Sequence, residues 1–320
     1  MPSDRFVVRI EDREVELSNL DKLMYPAAGF TKGEVIDYYT RIAPVMLPHL
    51  RDRAVTRIRY PNGVDGAHFF EKNKPGGTPG WVRLETLPVP GSTKSRETVE
   101  FVVVDELPTL VWLANLAALE LHTPQWRIGA DPDLLVVDLD PGAPAGLQEC
   151  CAVAVLMRDR LAEDGIAAYP KTSGKKGMQL CCPISGSQDA ATVSGYAKRV
   201  AEELAALVPG SITAKMAKQL RPGKIFIDWS QNNAAKTTVT PYSLRAGASP
   251  TASTPLTWEE TEAMATGDAE ARQFTAAEAL DRADTHGDLL ADLLQPGPVL
   301  PGVPETGGAG SRRVRHRSDS

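Results

Sequence analysis

Two aspartates one residue apart, Asp138 and Asp140, follow the apolar run Leu134-Leu135-Val136-Val137. Side chains alternate across a strand, so both carboxylates fall on one face while Leu139 turns away. Pro141-Gly142 then ends the strand. Carboxylates paired in this way suit hard divalent cations, held between protein oxygens and those of a phosphate. A second short apolar run, Lys224-Ile225-Phe226-Ile227, delivers Asp228 immediately before Trp229-Ser230-Gln231. If the two runs are neighbouring strands, three carboxylates converge into the donor set of two-metal phosphoryl transfer.

Cationic and polar residues lie between and around these runs. Ser173, Lys175, Lys176 and Gly177 belong to the small-residue loop Lys171-Thr172-Ser173-Gly174-Lys175-Lys176-Gly177, expected between two strands. Glycines there let backbone N–H groups approach a phosphate, and the lysines add charge. The G-x-x-x-x-G-K-[ST] spacing of a P-loop is absent, and an ordinary basic hairpin loop would read the same way. Gln231 and Arg245 follow Asp228 closely enough to return to the same place; Arg245 can clamp a phosphate in two-pronged fashion or sit in a surface ion pair. His122, one of five histidines, stands beside Pro124-Gln125-Trp126 and on its own reads as a satisfied core residue. Lys22, Lys32, Arg57 and Arg59 accompany Phe69 and Phe70, a mixture suited to backbone contact and base stacking on DNA, or to scattered surface charge.

The chain has 320 residues, 42% of them hydrophobic, enough for a substantial core and two subdomains. No apolar stretch approaches the roughly 20 residues needed to span a bilayer, and the first residues are charged, so a cytoplasmic, nucleoid-associated protein is expected. The cysteines form two adjacent pairs, Cys150-Cys151 and Cys181-Cys182, without zinc-site spacing, and are expected as buried thiols. Net charge is −6, yet it is segregated: −8 over residues 101–164 and +7 over 165–245. A carboxylate segment followed by a basic one suits a metal site that faces a polyanion.

The opening segment reads as two short strands around Glu11-Asp12, with Ser18 or Asn19 capping a following helix. Thr31 and Glu34 form a capping box for a helix over 32–47, which Pro48 should stop. Strands are expected at 54–60, 68–73 and 101–104, and an almost wholly apolar helix over 107–121. The order then runs strand 134–138, helix 145–163, strands 166–170 and 178–184, helix 189–207 and strand 224–229. Alternation of this kind predicts an α+β protein of mixed layers. The expected division is an N-terminal α/β module over 1–105, a catalytic core over 106–258, an acidic helical segment over 259–295 and a disordered tail over 296–320.

Taken together these residues resemble the polymerase domain of bacterial DNA ligase D, a branch of the archaeo-eukaryotic primase superfamily. The resemblance runs from about residue 15 to residue 260. It is carried by NLDK at 19–22, TKGEVIDYY at 31–39, PNGVDG at 61–66, LVWLANLAALELH at 110–122, VVDLDPG at 136–142, KTSGKKG at 171–177 and FIDWSQNN at 226–233. KTTV, PYSLRA and STPLTW at 253–258 continue it. The resemblance implies a primase-like core with an RRM-like sheet. It places metal ligands at Asp138, Asp140 and Asp228, and nucleotide contacts at His122, Ser173, Lys176, Gln231 and Arg245. It also implies recognition of a downstream 5′-phosphate by Lys22 and Lys32, with Phe69 and Phe70 wedging or stacking on the template.

The resemblance further implies a nucleotidyltransferase of DNA repair. It would use two divalent cations, Mn2+ or Mg2+, and NTP or dNTP with ribonucleotides preferred. Its DNA would be a gapped duplex or a 3′ overhang, and Ku and a separate ligase would be further partners of a monomer. The absence of a K-x-D-G adenylation motif points to a stand-alone polymerase. One departure stands out: where the superfamily's second motif, SGxxGxH, ends in histidine, this chain has Gln179, which accepts and donates hydrogen bonds but carries no charge. Weakened triphosphate binding is expected there, offset by Lys175. The competing readings are a catalytically silent DNA-end binding module and an aspartate-dependent phosphatase; in the latter Asp228 would have no role.

Overall fold

The computed structural model describes residues 5–89 and 97–302. The opening hairpin, β1 (Arg5–Ile10) and β2 (Arg13–Ser18), forms as expected. No helix follows it. Asn19 instead takes a left-handed turn (φ 54°), and the short pair β3 (Leu23–Tyr25) and β4 (Phe30–Thr31) comes next. Helix α1 (Lys32–Leu50) begins at the Thr31/Glu34 capping box. It runs past Pro48 because its apolar face continues: Val35, Tyr39, Ile42, Met46 and Leu50 are all buried, and that packing outweighs one lost backbone bond.

Strands β5 (Ala54–Arg59), β6 (Phe69–Glu71), β7 (Leu84–Pro88) and β8 (Thr98–Val103) follow. The expected helix over 107–121 is half helix and half strand. Helix α2 (Leu107–Asn115) ends where the Asn115 side chain bonds the backbone of Glu16 and Ser18; Ala117 reverses the chain at φ 59°, and β9 (Ala118–Thr123) pairs with β5. An unbroken apolar run carries no period, so it fits a doubly buried strand as well as a buried helix. The apolar residues of α2 and β9, from Leu107 to Leu121, pack in the first hydrophobic cluster with those of α1 and β5.

The second cluster is built on β10 (Leu134–Pro141), α3 (Leu147–Glu163), β11 (Tyr169–Thr172), β12 (Met178–Pro183), α4 (Ala190–Leu207), β13 (Ile212–Thr213) and β14 (Ile225–Ile227). The sheet order β11-β12-β10-β14-β13 puts β10 in the middle of a split β-α-β-β-α-β unit, antiparallel except for β13 beside β14. Strand β15 (Thr238–Val239) extends the first sheet by pairing with β9, and β16 (Leu244–Arg245), β17 (Thr251–Ala252) and β18 (Phe274–Thr275) form a small third sheet. Helices α5 (Trp258–Thr266) and α6 (Ala276–His286), each opened by a capping box, close the acidic C-terminal layer. Of the expected disordered tail, residues 296–302 are packed: Leu300 is buried and exchanges backbone bonds with the Gln188 side chain. The remainder, 303–320, lies outside the described residues.

Candidate active site

Strand β10 hydrogen-bonds β14 through Leu139 opposite Ile227, and the Asp228 N–H donates to the Asp138 carbonyl at 2.9 Å. This pairing brings one carboxylate oxygen of each of Asp138, Asp140 and Asp228 within 4.8 Å of one another. Asp228 caps the short 3-10 turn Trp229–Asn232; its carboxylate accepts from the Ser230 N–H at 3.1 Å and from Gln231 Nε2 at 2.8 Å. Gln231, expected at the nucleotide, thus orients a candidate ligand. Burial, and then the Asp140 charge, push the Asp138 carboxyl up to about 7, and burial with Asp228 raises Asp140 as well. Among the described residues the one cation paired with these carboxylates is Lys236, whose Nζ lies 3.8 Å from Asp228. Three hard oxygen donors in that state fit divalent cations, which supply the missing positive charge.

Gln179, opposite Asp138 across the β10–β12 ladder, is buried and does not reach outward for a phosphate. Its Nε2 donates to Asp138 Oδ1 at 2.9 Å, while its Oε1 accepts from Lys171 Nζ at 2.6 Å. Lys171 also donates to Ser253 Oγ at 2.7 Å and to the Val239 carbonyl at 3.1 Å; burial lowers its pKa to about 8. The amide therefore joins a buried ammonium to a candidate metal-site carboxylate, and the amino-acid sequence gives no sign of the lysine's part. Gln179→Ala is expected to cost about 1–3 kcal/mol in urea unfolding, the usual penalty for orphaned buried groups. It should also weaken Mn2+ activation while leaving nucleotide KM nearly unchanged. A raised KM with unaltered metal dependence would return Gln179 to the triphosphate.

The loop after β11 is held by close backbone approaches. A Cβ on Gly177 would overlap the Leu139 carbonyl oxygen, and Gly174 sits at φ +72° against Arg245 and Ala252. Gly177 is thus required for packing on β10, and its carbonyl accepts from Ser173 N at 3.0 Å. Lys175 and Lys176 are exposed. Arg245 Nη1 donates to the Ser173 carbonyl at 2.9 Å, tying β16 to the loop. His122, Lys175 and Arg245 meet at a residue that the sequence pattern did not single out, Glu120, whose carboxylate lies within 3.2 Å of all three. Its only signal was a charge within an apolar run, hidden by the expectation of a helix.

A second basic group gathers around the start of α1 and strand β5. Lys32 is buried with its ammonium on the Ser18 carbonyl at 2.6 Å; burial, then Lys22 and Arg59, lower its pKa to about 8. Lys22 reaches Asn62 Oδ1 at 3.0 Å, and Arg59 pairs with Glu71 at 3.1 Å. Arg57 departs from expectation. Its side chain has no exposed surface and pairs with Glu71 at 3.0 Å, so it ties β5 to β6 instead of meeting DNA. That tie anchors the strand bearing Phe69 and Phe70, which are 52% and 55% exposed.

A mixed α/β core carrying three strand-end carboxylates beside a glycine-lysine loop defines a nucleotidyltransferase scaffold. Residues 31–290 match the family model described as LigD, primase-polymerase domain. Over 290 residues the chain is 42% identical to the multifunctional non-homologous end joining protein LigD of Mycolicibacterium smegmatis, covering 89% of this chain and 37% of the relative. It is 32% identical over 278 residues to the bifunctional non-homologous end joining protein LigD of Bacillus subtilis, covering 86% of this chain and 43% of that protein. Among solved structures, the polymerase domain from Mycobacterium tuberculosis ligase D in complex with DNA matches with a TM-score of 0.82 at 40% identity. The match covers 88% of this chain and 98% of that one. The chain belongs to the LigD primase-polymerase domain family. It spans less than half the length of the curated relatives it matches.

Proposed function

We propose that the chain is a template-dependent polymerase of DNA repair that adds nucleotides, ribonucleotides by preference, at gaps or ends with a downstream 5′-phosphate. The observation that carries this reading is the convergence of Asp138, Asp140 and Asp228 next to the Ser173–Gly177 loop. These carboxylates would hold two Mn2+ or Mg2+ ions, which when bound activate the primer 3′-hydroxyl and neutralise the nucleotide phosphates. Gln179 and Gln231 fix the orientation of two of the ligands. Ser173, Lys176, Lys175 and Arg245 bind the triphosphate, and Gly177 keeps their loop against β10. Lys22, Lys32 and Arg59 form the site of the downstream 5′-phosphate, and Phe69 and Phe70 face the template. The protein acts on nucleoid DNA in the cytoplasm; among the described residues no helix is long and apolar enough to cross a membrane. The relatives' end-joining names favour Ku and a ligase as partners.

Primer extension on a gapped duplex with and without the 5′-phosphate, and on unprimed single strands, tests the reading with NTPs and dNTPs. Stimulation by the phosphate is expected; dinucleotides on bare template would make the chain a primase instead. The stimulation should depend on pH in a stated direction. Lys32 is mostly cationic below about 8, and a terminal phosphate is mostly doubly ionised above about 6. Affinity gained from the 5′-phosphate should therefore peak between these limits and fall as pH rises past 8. Fluorescence anisotropy across that range checks it, and a Lys32→Ala variant that retained the fall would assign it elsewhere.

A further inference from the structure

Outside the aspartates, the most heavily partnered side chain of the site is Glu120. It lies wholly buried on β9 between Leu119 and Leu121, both core residues. Its Oε1 accepts from Ala246 N at 3.0 Å and pairs with Lys175 Nζ at 2.9 Å. Its Oε2 faces His122 Nε2 at 3.1 Å and Arg245 Nε at 3.2 Å, and the Tyr60 hydroxyl lies 3.5 Å from Oε1. A buried carboxylate persists as an anion only when it is surrounded this completely. Lys175, Arg245 and His122 come from three segments of chain, and Glu120 is where their side chains meet. A neutral hydrogen-bonding side chain would be enough to fill the space; the charge is needed to hold the cations.

We propose that Glu120 is a positioning residue of the nucleotide site, holding Lys175 and Arg245 in register and fixing His122 as the Nε2–H tautomer, with Nδ1 left as a hydrogen-bond acceptor. The inference rests on the polymerase reading above for the identity of the ligand. Its chemistry distinguishes the partners of the cluster. Phosphate oxygens are acceptors, so they suit Lys175 and Arg245. A neutral ring whose donor is already spent on Glu120 offers nothing to a phosphate and suits a sugar hydroxyl, which donates. Burial, joined by the Arg245 and Lys175 charges, lowers the His122 pKa despite the Glu120 carboxylate, which supports the neutral ring. His122 is thereby assigned to the sugar of the incoming nucleotide and the two cations to its phosphates.

The tautomer is read directly in the wild-type protein by long-range 1H–15N NMR of the imidazole at pH 7. A neutral Nε2–H ring at His122 is expected, and an imidazolium or an Nδ1–H ring overturns the proposal. In primer extension, Glu120→Gln should raise the nucleotide KM about tenfold while kcat changes by less than about threefold and gapped-DNA affinity is unchanged. In a His122→Ala background the same substitution should raise KM by less than about threefold, because part of its effect passes through the ring. An unchanged KM, or a loss confined to kcat and Tm, makes Glu120 a packing residue only. Should Glu120→Gln fail to fold, Glu120→Asp retains the charge and is read by the same KM. The NMR measurement needs no substrate, so a wild-type protein that showed the tautomer but no incorporation would overturn the polymerase reading alone.

Discussion

Asp138→Asn is expected to abolish nucleotide incorporation while raising the Tm of the metal-free protein. The loss should be at least about 10³-fold, roughly 4 kcal/mol of transition-state stabilisation, because a candidate metal ligand is removed. The gain in stability follows from the raised carboxyl. Asp138 stands at about 7 against an ordinary 3.8, so the folded state holds its proton more tightly than the unfolded chain. Stability then falls as pH rises through that window, and the neutral-pH protein carries a penalty of a few kcal/mol. Asparagine keeps the shape, removes the repulsion with Asp140 and Asp228, and its Oδ1 still accepts from Gln179 Nε2. Thermal scans in chelator at pH 7.5 should show the variant above the wild type, with the gap closing toward pH 5 as Asp138 takes its proton. Adding Mn2+ should lift the wild type and leave the variant nearly unmoved. A variant less stable at every pH, or one that still extends primers, would refute the account.

The candidate metal-binding carboxylates stood out in the sequence because period-2 alternation and a strand-ending Pro141 are local signals. Asp138, Asp140 and Asp228 each close an apolar run, and the structure pairs those runs directly. The partners of these residues were not legible. Lys171 and Gln179 sit on adjacent strands, and only the register β11–β12–β10 reveals that one amide spans an ammonium and a carboxylate. Glu120 was hidden by the run from Leu107 to Leu121, whose continuous hydrophobicity has no period to separate helix from strand. Ala117, a residue without turn preference, carries the reversal. Arg57 and Arg59 looked alike at i and i+2. Both pair with Glu71, yet Arg57 is fully enclosed while Arg59 keeps a fifth of its side chain exposed. Burial of a charged side chain depends on which strand lies over it, and that is a tertiary fact.

The two halves of the candidate site should respond to substitution with opposite signs in stability. Where the aspartates repel, removing one relaxes the fold; where Glu120 and Arg245 attract, removing one strains it. Arg245→Ala is expected to lower nucleotide kcat/KM by roughly 10²-fold, about 2.7 kcal/mol, mainly through KM. It should also destabilise the protein by about 2–4 kcal/mol, somewhat less than the usual cost of breaking a buried ion pair because Lys175 and His122 still face Glu120. The same substitution releases the Ser173 carbonyl and uncovers Gly174, so the loop loses the strand that pins it. Arg245→Lys should recover little, since an ammonium cannot reach the Ser173 carbonyl and the Glu120 carboxylate with the spacing of a guanidinium fork. Steady-state kinetics with varied nucleotide and varied Mn2+ separates the cases: the arginine variants should keep the wild-type metal dependence that Asp138→Asn abolishes. If Arg245→Ala instead shifted the metal requirement and left nucleotide KM intact, the cationic cluster would belong to the carboxylates and not to the triphosphate.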